Sequence, residues 1–221
     1  MNQISPLAFV HPEAKLGDNN IIGPFCYIDC DTVLGDNNVL QNSVTINRGA
    51  RIGNNNEIFP GASLSTKPQD LKFKGEETTC VIGDNNSIRE NVTISRGTAS
   101  SGSTSLGSNN LLMENMHIAH DCYTIGGYVM IQGGSRFSQD IPPYIIVGRF
   151  PVKYMGINLV GLRRHGFSNE LIDLIHNAYR LLYSQGVIAE GIEEIKKNLQ
   201  ITPEIQYIID FVESSKRGII R

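Results

Sequence analysis

Aliphatic residues recur at every sixth position through the first third of the chain. One stands in each successive unit: Ile4, Val10, Leu16, Ile22, Ile28, Leu34, Leu40, Ile46, Ile52, Ile58 and Leu64. In most units a small residue comes two positions earlier, and because side chains alternate along an extended strand, both point to the same side. A helix would repeat its apolar positions with a period near 3.6. The pattern therefore predicts short strands, each with a large and a small inward residue, separated by bends.

A second period of 18 residues is superimposed on the first. The phrase Leu16-Gly-Asp-Asn-Asn returns with little change at Leu34, Ile52, Ile82 and Leu106, and the first three copies are 18 residues apart. Glycine and asparagine tolerate the positive φ that tight corners require. Three strands and three corners per 18 residues describe one coil of a triangular prism, the architecture of hexapeptide-repeat β-helices. A β-sandwich is much less compatible, because it would show irregular spacing and alternation over longer runs.

Three insertions interrupt the repeat, and all of them leave the prism at the same corner. Twelve extra residues fall within 65–80, six fall around 96–103, and one precedes Ile125. Each insertion follows the face that carries Leu64 and precedes the face that carries Leu16. Function concentrates in loops on rigid scaffolds, so this shared corner is the predicted functional edge.

Polar side chains suited to acid–base chemistry meet at this corner. With Ile118 inward, His117 and His120 fall on outward or corner positions, and the loop bearing Asp70 and Lys72 starts two coils earlier. Coils stack at strand spacing, so the base of this loop lies about 10 Å below His120, a distance that such a loop can cover. Histidine is the usual general base near neutral pH. A solvated surface pair of histidines remains the alternative interpretation.

Composition and charge narrow the class of protein. The 221 residues carry a net charge of −3, which gives no support to nucleic-acid binding. The N-terminus has no basic-then-apolar signal pattern and no apolar run could span a bilayer, so a cytoplasmic location is expected. The cysteines lack the spacing of a zinc site or a secreted disulfide framework, and Cys26, Cys80 and Cys122 fall at small inward positions. We predict neither a metal site nor disulfides.

The hexad repeat fades in the last third of the chain, where helical patterns begin at about Gly166. Ser168 fits an N-cap, and Thr202-Pro203-Glu204 has the order of a cap, a first-turn proline and an acidic first turn. The chain is therefore predicted to be mainly β. We expect a hexapeptide-repeat β-helix domain over residues 1–148 and a C-terminal helical domain over residues 149–221.

Several phrases of the chain resemble one family of hexapeptide acyltransferases. They are Gln69-Asp-Leu-Lys72, His117-Ile-Ala-His-Asp-Cys122, Gln139-Asp-Ile-Pro-Pro-Tyr144, Gly156-Ile-Asn158 and the terminal Arg217-Gly-Ile-Ile-Arg221. Together they make the chain similar to the acyl-acyl-carrier-protein–UDP-N-acetylglucosamine O-acyltransferases, which begin lipid A synthesis in Gram-negative bacteria. The resemblance covers nearly the whole chain, and the histidine phrase and the tail are specific in combination.

The resemblance implies a left-handed β-helix, a homotrimer with active sites between subunits, and no cofactor. The implied substrates are UDP-N-acetylglucosamine and an acyl carrier protein bearing a hydroxyacyl chain. His120 matches the family's general base, which takes the proton of the sugar 3-hydroxyl as that oxygen attacks the acyl thioester. The residues that match substrate-binding positions are Gln69, Asp70, Lys72, His117, Asn158 and Arg164.

The chain departs from the family pattern directly after the histidine phrase. About 36 residues, roughly two whole coils, are absent before Gln139. In the family these coils carry the glycine whose backbone N–H stabilises the oxyanion, two further histidines and much of the acyl-chain groove. Counting hexads puts Ser138 or Gln139 nearest to the lost donor. His165 also stands where the family usually has an arginine, and Val160 where it has an acid.

This departure leaves two alternatives to acyl transfer onto UDP-N-acetylglucosamine. One is a nucleotide-sugar-binding or structural homologue whose catalysis was impaired when the coils were lost. The other is an acyltransferase that acts on a related amino-sugar nucleotide.

Overall fold

Three parallel sheets form the sides of a triangular prism. The computed structural model describes residues 1–71, 73–100, 102–118, 123–136, 138–184 and 186–221. In chain order its strands are β1 (Gln3–Ile4), β2 (Phe9–Val10), β3 (Lys15–Leu16), β4 (Ile21–Ile22), β5 (Tyr27–Ile28), β6 (Val33–Leu34), β7 (Val39–Leu40), β8 (Thr45–Ile46), β9 (Ala50–Ile52), β10 (Glu57–Ile58), β11 (Ser63–Thr66), β12 (Thr79–Ile82), β13 (Ser87–Ile88), β14 (Thr93–Ser95), β15 (Ser103–Leu106), β16 (Leu111–Leu112), β17 (His117–Ile118), β18 (Thr124–Ile125), β19 (Met130–Ile131), β20 (Ile145–Gly148) and β21 (Lys153–Ile157).

Every third strand along the prism belongs to the same side. Face A begins β1-β4-β7, face B begins β2-β5-β8 and face C begins β3-β6-β9, and each continues in steps of three as far as β19, β17 and β18 respectively. On face B, Ile46 pairs in register with Ile28 on one side and Leu64 on the other, and all three side chains are 0% exposed. The inward residues of successive coils therefore stack in columns. This register confirms the predicted six- and 18-residue repeats.

A ladder of buried asparagines runs along the corner that follows face C. Its almost completely buried members are Asn20, Asn38, Asn56, Asn86 and Asn110. Each Oδ1 accepts the backbone N–H of the equivalent residue one coil further on, as in Asn56 N to Asn38 Oδ1 at 2.9 Å. The ladder ends where Val129 donates its N–H to Asn110 Oδ1 at 2.7 Å. It pairs corner backbone groups that would otherwise be buried without a partner.

Replacing Asn56 with alanine is expected to lower the free energy of unfolding by about 2–4 kcal/mol. The change removes the acceptor of both Asn86 N and Asn86 Nδ2, which lie 2.9 and 3.0 Å from Asn56 Oδ1. Guanidinium unfolding followed by circular dichroism measures the loss. Asn42→Ala, at an exposed turn, is the matched control and should change stability by less than about 0.5 kcal/mol. Equal losses in the two variants would contradict a stabilising role for the ladder.

The insertions leave the prism where face B passes to face C, as predicted. Residues 67–78 separate β11 from β12, residues 96–102 separate β14 from β15, and residues 119–123 separate β17 from β18. Because β11, β14 and β17 are consecutive strands of face B, the three departure points are stacked along one edge.

Two of the cysteines occupy the predicted inward positions. Cys26 is 2% exposed and Cys80 is 0% exposed, and burial raises the pKa of the Cys80 thiol to about 12. Their interpretation as core residues is confirmed, whereas Cys122 lies outside the described residues.

The chain leaves the prism through an antiparallel hairpin that the sequence did not predict. Strand β20 continues face A in parallel with β19, and β21 then pairs with β20 in the opposite direction. The predicted domain boundary between residues 148 and 149 falls at the turn of this hairpin. It stays a prediction.

Helices follow the hairpin and pack against the end of the prism. They are α1 (Leu159–Arg164), α2 (Asn169–Ser184), α3 (Ile188–Asn198) and α4 (Pro203–Ser214). Ser168 Oγ accepts the N–H of Leu171 at 3.2 Å and Thr202 Oγ1 accepts that of Ile205 at 3.4 Å, so both predicted caps are confirmed. The predicted start of helical structure near Gly166 was wrong, because α1 comes earlier. None of the helices in the described ranges is long and apolar enough to cross a membrane.

Candidate active site

The loop at residues 67–78 folds back onto the strand that carries His117. Gln69 Nε2 lies 3.3 Å from His117 Nε2. The loop begins at the end of β11, which is two strands away from β17 on face B. Two strand spacings correspond to about 10 Å, so the loop climbs two coils along the edge. This contact confirms the predicted reach of the loop.

His117 faces outward from the prism. Its neighbour Ile118 is 2% exposed, whereas the His117 side chain is partly exposed beside Thr93 of the preceding coil. An imidazole in this position can bind a hydroxyl group of a ligand at the edge. The interpretation of His117 as a buried core histidine is therefore excluded.

Asp70 lies in the same loop and lines a cavity of about 350 Å³. Phe73, Thr98 and Ser100 line the cavity with it, and Arg217 from the chain's tail completes it. The guanidinium carbon of Arg217 is 5.4 Å from the centre of the Tyr123 ring. Sequence reasoning did not select Arg217 as a site residue, because no local signal shows where the tail returns.

Asn158 and Arg164 line a different cavity, of about 500 Å³, on face A. The floor of this cavity consists of outward residues of face A, including Leu111, Met130 and Ile146. Face A lies opposite the edge between faces B and C. One chain therefore brings Gln69 and His117 together, with Asp70 next to Gln69 in the loop, but keeps Asn158 and Arg164 on the other side of the prism.

Asn158 is held rigidly at the start of α1. Its Nδ2 donates to Tyr128 O at 2.9 Å, and its Oδ1 accepts the N–H of Gly161 at 3.1 Å. The His165 ring, at the end of α1, packs edge-on against Tyr128 with the ring centres 5.2 Å apart. His165 and Val160, the two tail positions at which the sequence departs from the pattern that the resemblance implies, both line the face A cavity.

Two predicted site residues, Lys72 and His120, lie outside the described residues. Their roles stay predictions. In the part of the chain that the structure covers, no three His, Cys, Asp or Glu side chains are placed to hold a metal ion.

Comparison with known proteins identifies the family. Residues 140–220 match the second domain of the UDP-N-acetylglucosamine O-acyltransferase family, and residues 13–48 match the bacterial transferase hexapeptide repeat. The acyl-[acyl-carrier-protein]–UDP-N-acetylglucosamine O-acyltransferase of Thermodesulfovibrio yellowstonii is 37% identical, and the alignment covers 100% of both chains. The chain belongs to the UDP-N-acetylglucosamine O-acyltransferase family.

Solved structures of this family share the fold. A UDP-N-acetylglucosamine acyltransferase from Bacteroides fragilis is 52% identical, with a TM-score of 0.66 over 99% of this chain and 100% of that one. The corresponding structure from Moraxella catarrhalis is 33% identical, with a TM-score of 0.68 over 99% of each chain. The fold is thus a left-handed parallel β-helix with a C-terminal helical region, as the resemblance implied.

The alignment with the Thermodesulfovibrio yellowstonii relative is longer than this chain. It spans 258 positions whereas this chain has 221 residues, so 37 positions have no counterpart here. That difference is close to the length of two coils, and their location after the histidine phrase stays a prediction. The parallel pairing of β19 with β20 keeps face A continuous across the junction with the tail.

Proposed function

We propose that this chain transfers a 3-hydroxyacyl group from an acyl carrier protein to the 3-hydroxyl of UDP-N-acetylglucosamine, the first step of lipid A biosynthesis. Its membership of the acyltransferase family supports this assignment. The contact between Gln69 and His117 carries it, because it places the polar loop against the histidine strand at one edge. Both substrates are cytoplasmic metabolites, so a cytoplasmic location accompanies this function.

In this proposal His120 is the general base of the reaction. It removes the proton of the sugar 3-hydroxyl while that oxygen attacks the thioester carbonyl carbon. The new C–O bond forms, the C–S bond breaks, and the proton passes from the imidazolium to the thiolate of the carrier protein. General base catalysis of this kind contributes a factor of about 10²–10⁴ to the rate.

The loop and His117 position the acceptor in this scheme. The Asp70 carboxylate accepts a hydrogen bond from a sugar hydroxyl, and Lys72 supplies a compact positive charge for the diphosphate. Gln69 touches His117 and so fixes the imidazole on its outward side. In this proposal the sugar binds at the edge between faces B and C, where the three inserted loops leave the prism.

The tetrahedral intermediate needs a hydrogen-bond donor in the coil that follows His120. Ile141 forms a parallel bridge with Ile125 on face C, which puts Ser138 and Gln139 at the B–C edge one coil further on. We assign the oxyanion donor to the backbone N–H of Ser138 or Gln139. Loss of such a donor lowers turnover by a factor of about 10²–10³, so this replacement accounts for activity in a shortened prism.

A second chain completes the proposed site. Asn158 and Arg164 lie on face A, on the far side of the prism from His117, so they reach the same substrate only from a neighbouring copy. Closed cyclic symmetry sets face A of one copy against the B–C edge of the next. We therefore propose a homotrimer with three equivalent sites, in which Asn158 and Arg164 bind the nucleotide.

The test is a reconstituted reaction with the purified protein. We expect UDP-N-acetylglucosamine and 3-hydroxyacyl carrier proteins of several chain lengths to give acylated nucleotide sugar, detected by mass spectrometry, with one chain length preferred. A UDP-sugar with an amine in place of the 3-hydroxyl is tested in parallel. Product from the amine alone would reassign the chain to a related amino-sugar nucleotide. Nucleotide binding with no product from any donor would identify a binding protein instead.

A further inference from the structure

A second polar cavity, of about 590 Å³, opens beside the other flank of loop 67–78. Three arginines line it, Arg48, Arg51 and Arg96, together with Thr78 at the end of the loop. None of the residues assigned above to acyl transfer lines this cavity. Its arginines therefore need a separate explanation.

The prism brings Arg48 and Arg96 together from two different coils. Each stands at the turn from face B to face C and is followed by a glycine. Gly49 has a φ of +81°, and a Cβ at this position would lie 3.4 Å from Arg96 Cδ. The side chain of Arg96 therefore runs back along the edge towards the coil of Arg48.

The positive charge of this pair is only partly offset within the described chain, by the carboxylate of Asp29. Arg51 is paired with Asp31 at 2.6 Å, but no carboxylate in the described ranges forms an ion pair with Arg48 or Arg96. Arg96 Nη1 donates to the Ser65 carbonyl oxygen at 3.3 Å. Burial lowers the pKa of Arg96 and the positive charge of Arg48 lowers it further, while the negative charge of Asp29 opposes this shift in part.

Three acidic residues also line the cavity: Asp31, which is paired with Arg51, and Glu76 and Glu77, neither of which forms an ion pair with Arg48 or Arg96 in the described ranges. Glu77 is exposed to solvent, which screens its charge. Glu76 Oε2 accepts the backbone N–H of Lys74 at 2.9 Å, so it is oriented towards its own loop. The two guanidinium groups consequently repel each other across a polar space.

Thr78 provides an independent sign of a ligand. Its side chain is 6% exposed, and within the described chain its Oγ1 has no hydrogen-bond partner. Buried hydroxyl groups are nearly always hydrogen-bonded, so an unpartnered one in the wall of a cavity that contains three arginines indicates an absent acceptor.

We propose that Arg48, Arg51, Thr78 and Arg96, here called the arginine pocket, bind a phosphate-bearing anion. Guanidinium groups match the geometry of phosphate oxygens and bind them in pairs, and the Thr78 hydroxyl donates one further hydrogen bond. The volume admits a diphosphate or a phosphate monoester as well as inorganic phosphate. The guanidinium of Arg96 lies 5.3 Å from the centre of the Phe73 ring, so a bound anion also braces the loop that carries Asp70.

Calorimetric titration of the full chain with inorganic phosphate and with pyrophosphate, at constant ionic strength, tests the pocket. Arg48→Gln and Arg96→Gln should each weaken binding about tenfold or more, because each removes a charged hydrogen-bond donor. Arg180→Gln, on the exposed side of α2, is the control that should keep the parent affinity. Tighter binding of pyrophosphate would identify a diphosphate ligand, and equal binding a single phosphate group.

A pair of threonine variants separates ligand binding from packing. Thr78→Val and Thr32→Val each remove a buried hydroxyl that has no partner in the described chain, but Thr32 does not line the pocket. Both variants should unfold at or above the parent temperature without phosphate, and only Thr78→Val should bind phosphate several-fold more weakly.

Absence of phosphate and pyrophosphate binding by the parent would overturn the proposal, as would equal affinity in all the variants. So would a loss of oligomer mass in Arg48→Gln with unchanged phosphate binding, because the arginine would then pair with another chain.

Discussion

His120→Ala is expected to reduce the turnover of acyl transfer by about 10²–10⁴-fold while leaving the affinity for UDP-N-acetylglucosamine within a few-fold of the parent. The imidazole acts on the 3-hydroxyl proton only as the C–O bond forms, so its removal raises the barrier without removing the contacts that hold the nucleotide. Steady-state kinetics with the preferred hydroxyacyl carrier protein gives the turnover. Calorimetry with the nucleotide sugar gives the affinity.

Two other histidine variants test whether the loss of turnover is specific to the His120 side chain. His176→Ala, on the exposed side of α2, should retain the parent turnover. His117→Ala should mainly raise KM, because His117 is assigned to positioning the sugar beside Gln69. A turnover of His120→Ala within about tenfold of the parent would place the base elsewhere.

Combining two inactive variants in one assembly is expected to restore about a quarter of the parent activity. One chain carries His120→Ala and the other carries Arg164→Ala. If each site takes its histidine from one copy and its arginine from the next, random mixing leaves about one site in four with both groups intact. Co-expression of the two variants in equal amounts, purified without selection for composition, yields the randomly mixed assembly, and its mass should be three times 24.4 kDa.

The physical reason for this expectation is the geometry of one chain. Arg164 lies in the face A cavity and His117 lies on the opposite edge of the prism. A mixed assembly without activity, from variants that are each inactive alone, would mean that one chain supplies every essential group. A monomeric mass would contradict the shared site directly.

Much of the fold was predictable because each hexad contacts only its counterparts in the adjacent coils. The inward column of Ile28, Ile46 and Leu64 follows from spacing alone, and the pairing register confirms it. The shared edge of the insertions follows in the same way. An insertion shifts the six-residue repeat, and the corner at which the shift occurs is the corner from which the loop leaves the prism. Helix caps at Ser168 and Thr202 were also predictable, because their hydrogen bonds reach only three residues along the chain.

The site was predictable only in part. The outward position of His117 and the reach of the loop to Gln69 follow from register and loop length. That Asn158 lies on the far side of the prism does not, since the path of the chain after β20 depends on how an antiparallel hairpin and a short helix dock. Helix α1 has six residues, too few to show an amphipathic stripe.

The sequence by itself determined the prism, its corners and the edge at which its loops meet, because these depend on contacts between residues at fixed spacing. Only the tertiary structure decided where the tail returns. It sets Arg217 beside Asp70 and holds Asn158 against Tyr128. Such contacts join residues of unrelated spacing and depend on side-chain packing across the whole molecule. No periodicity encodes them, and they divide the polar residues among three separate cavities.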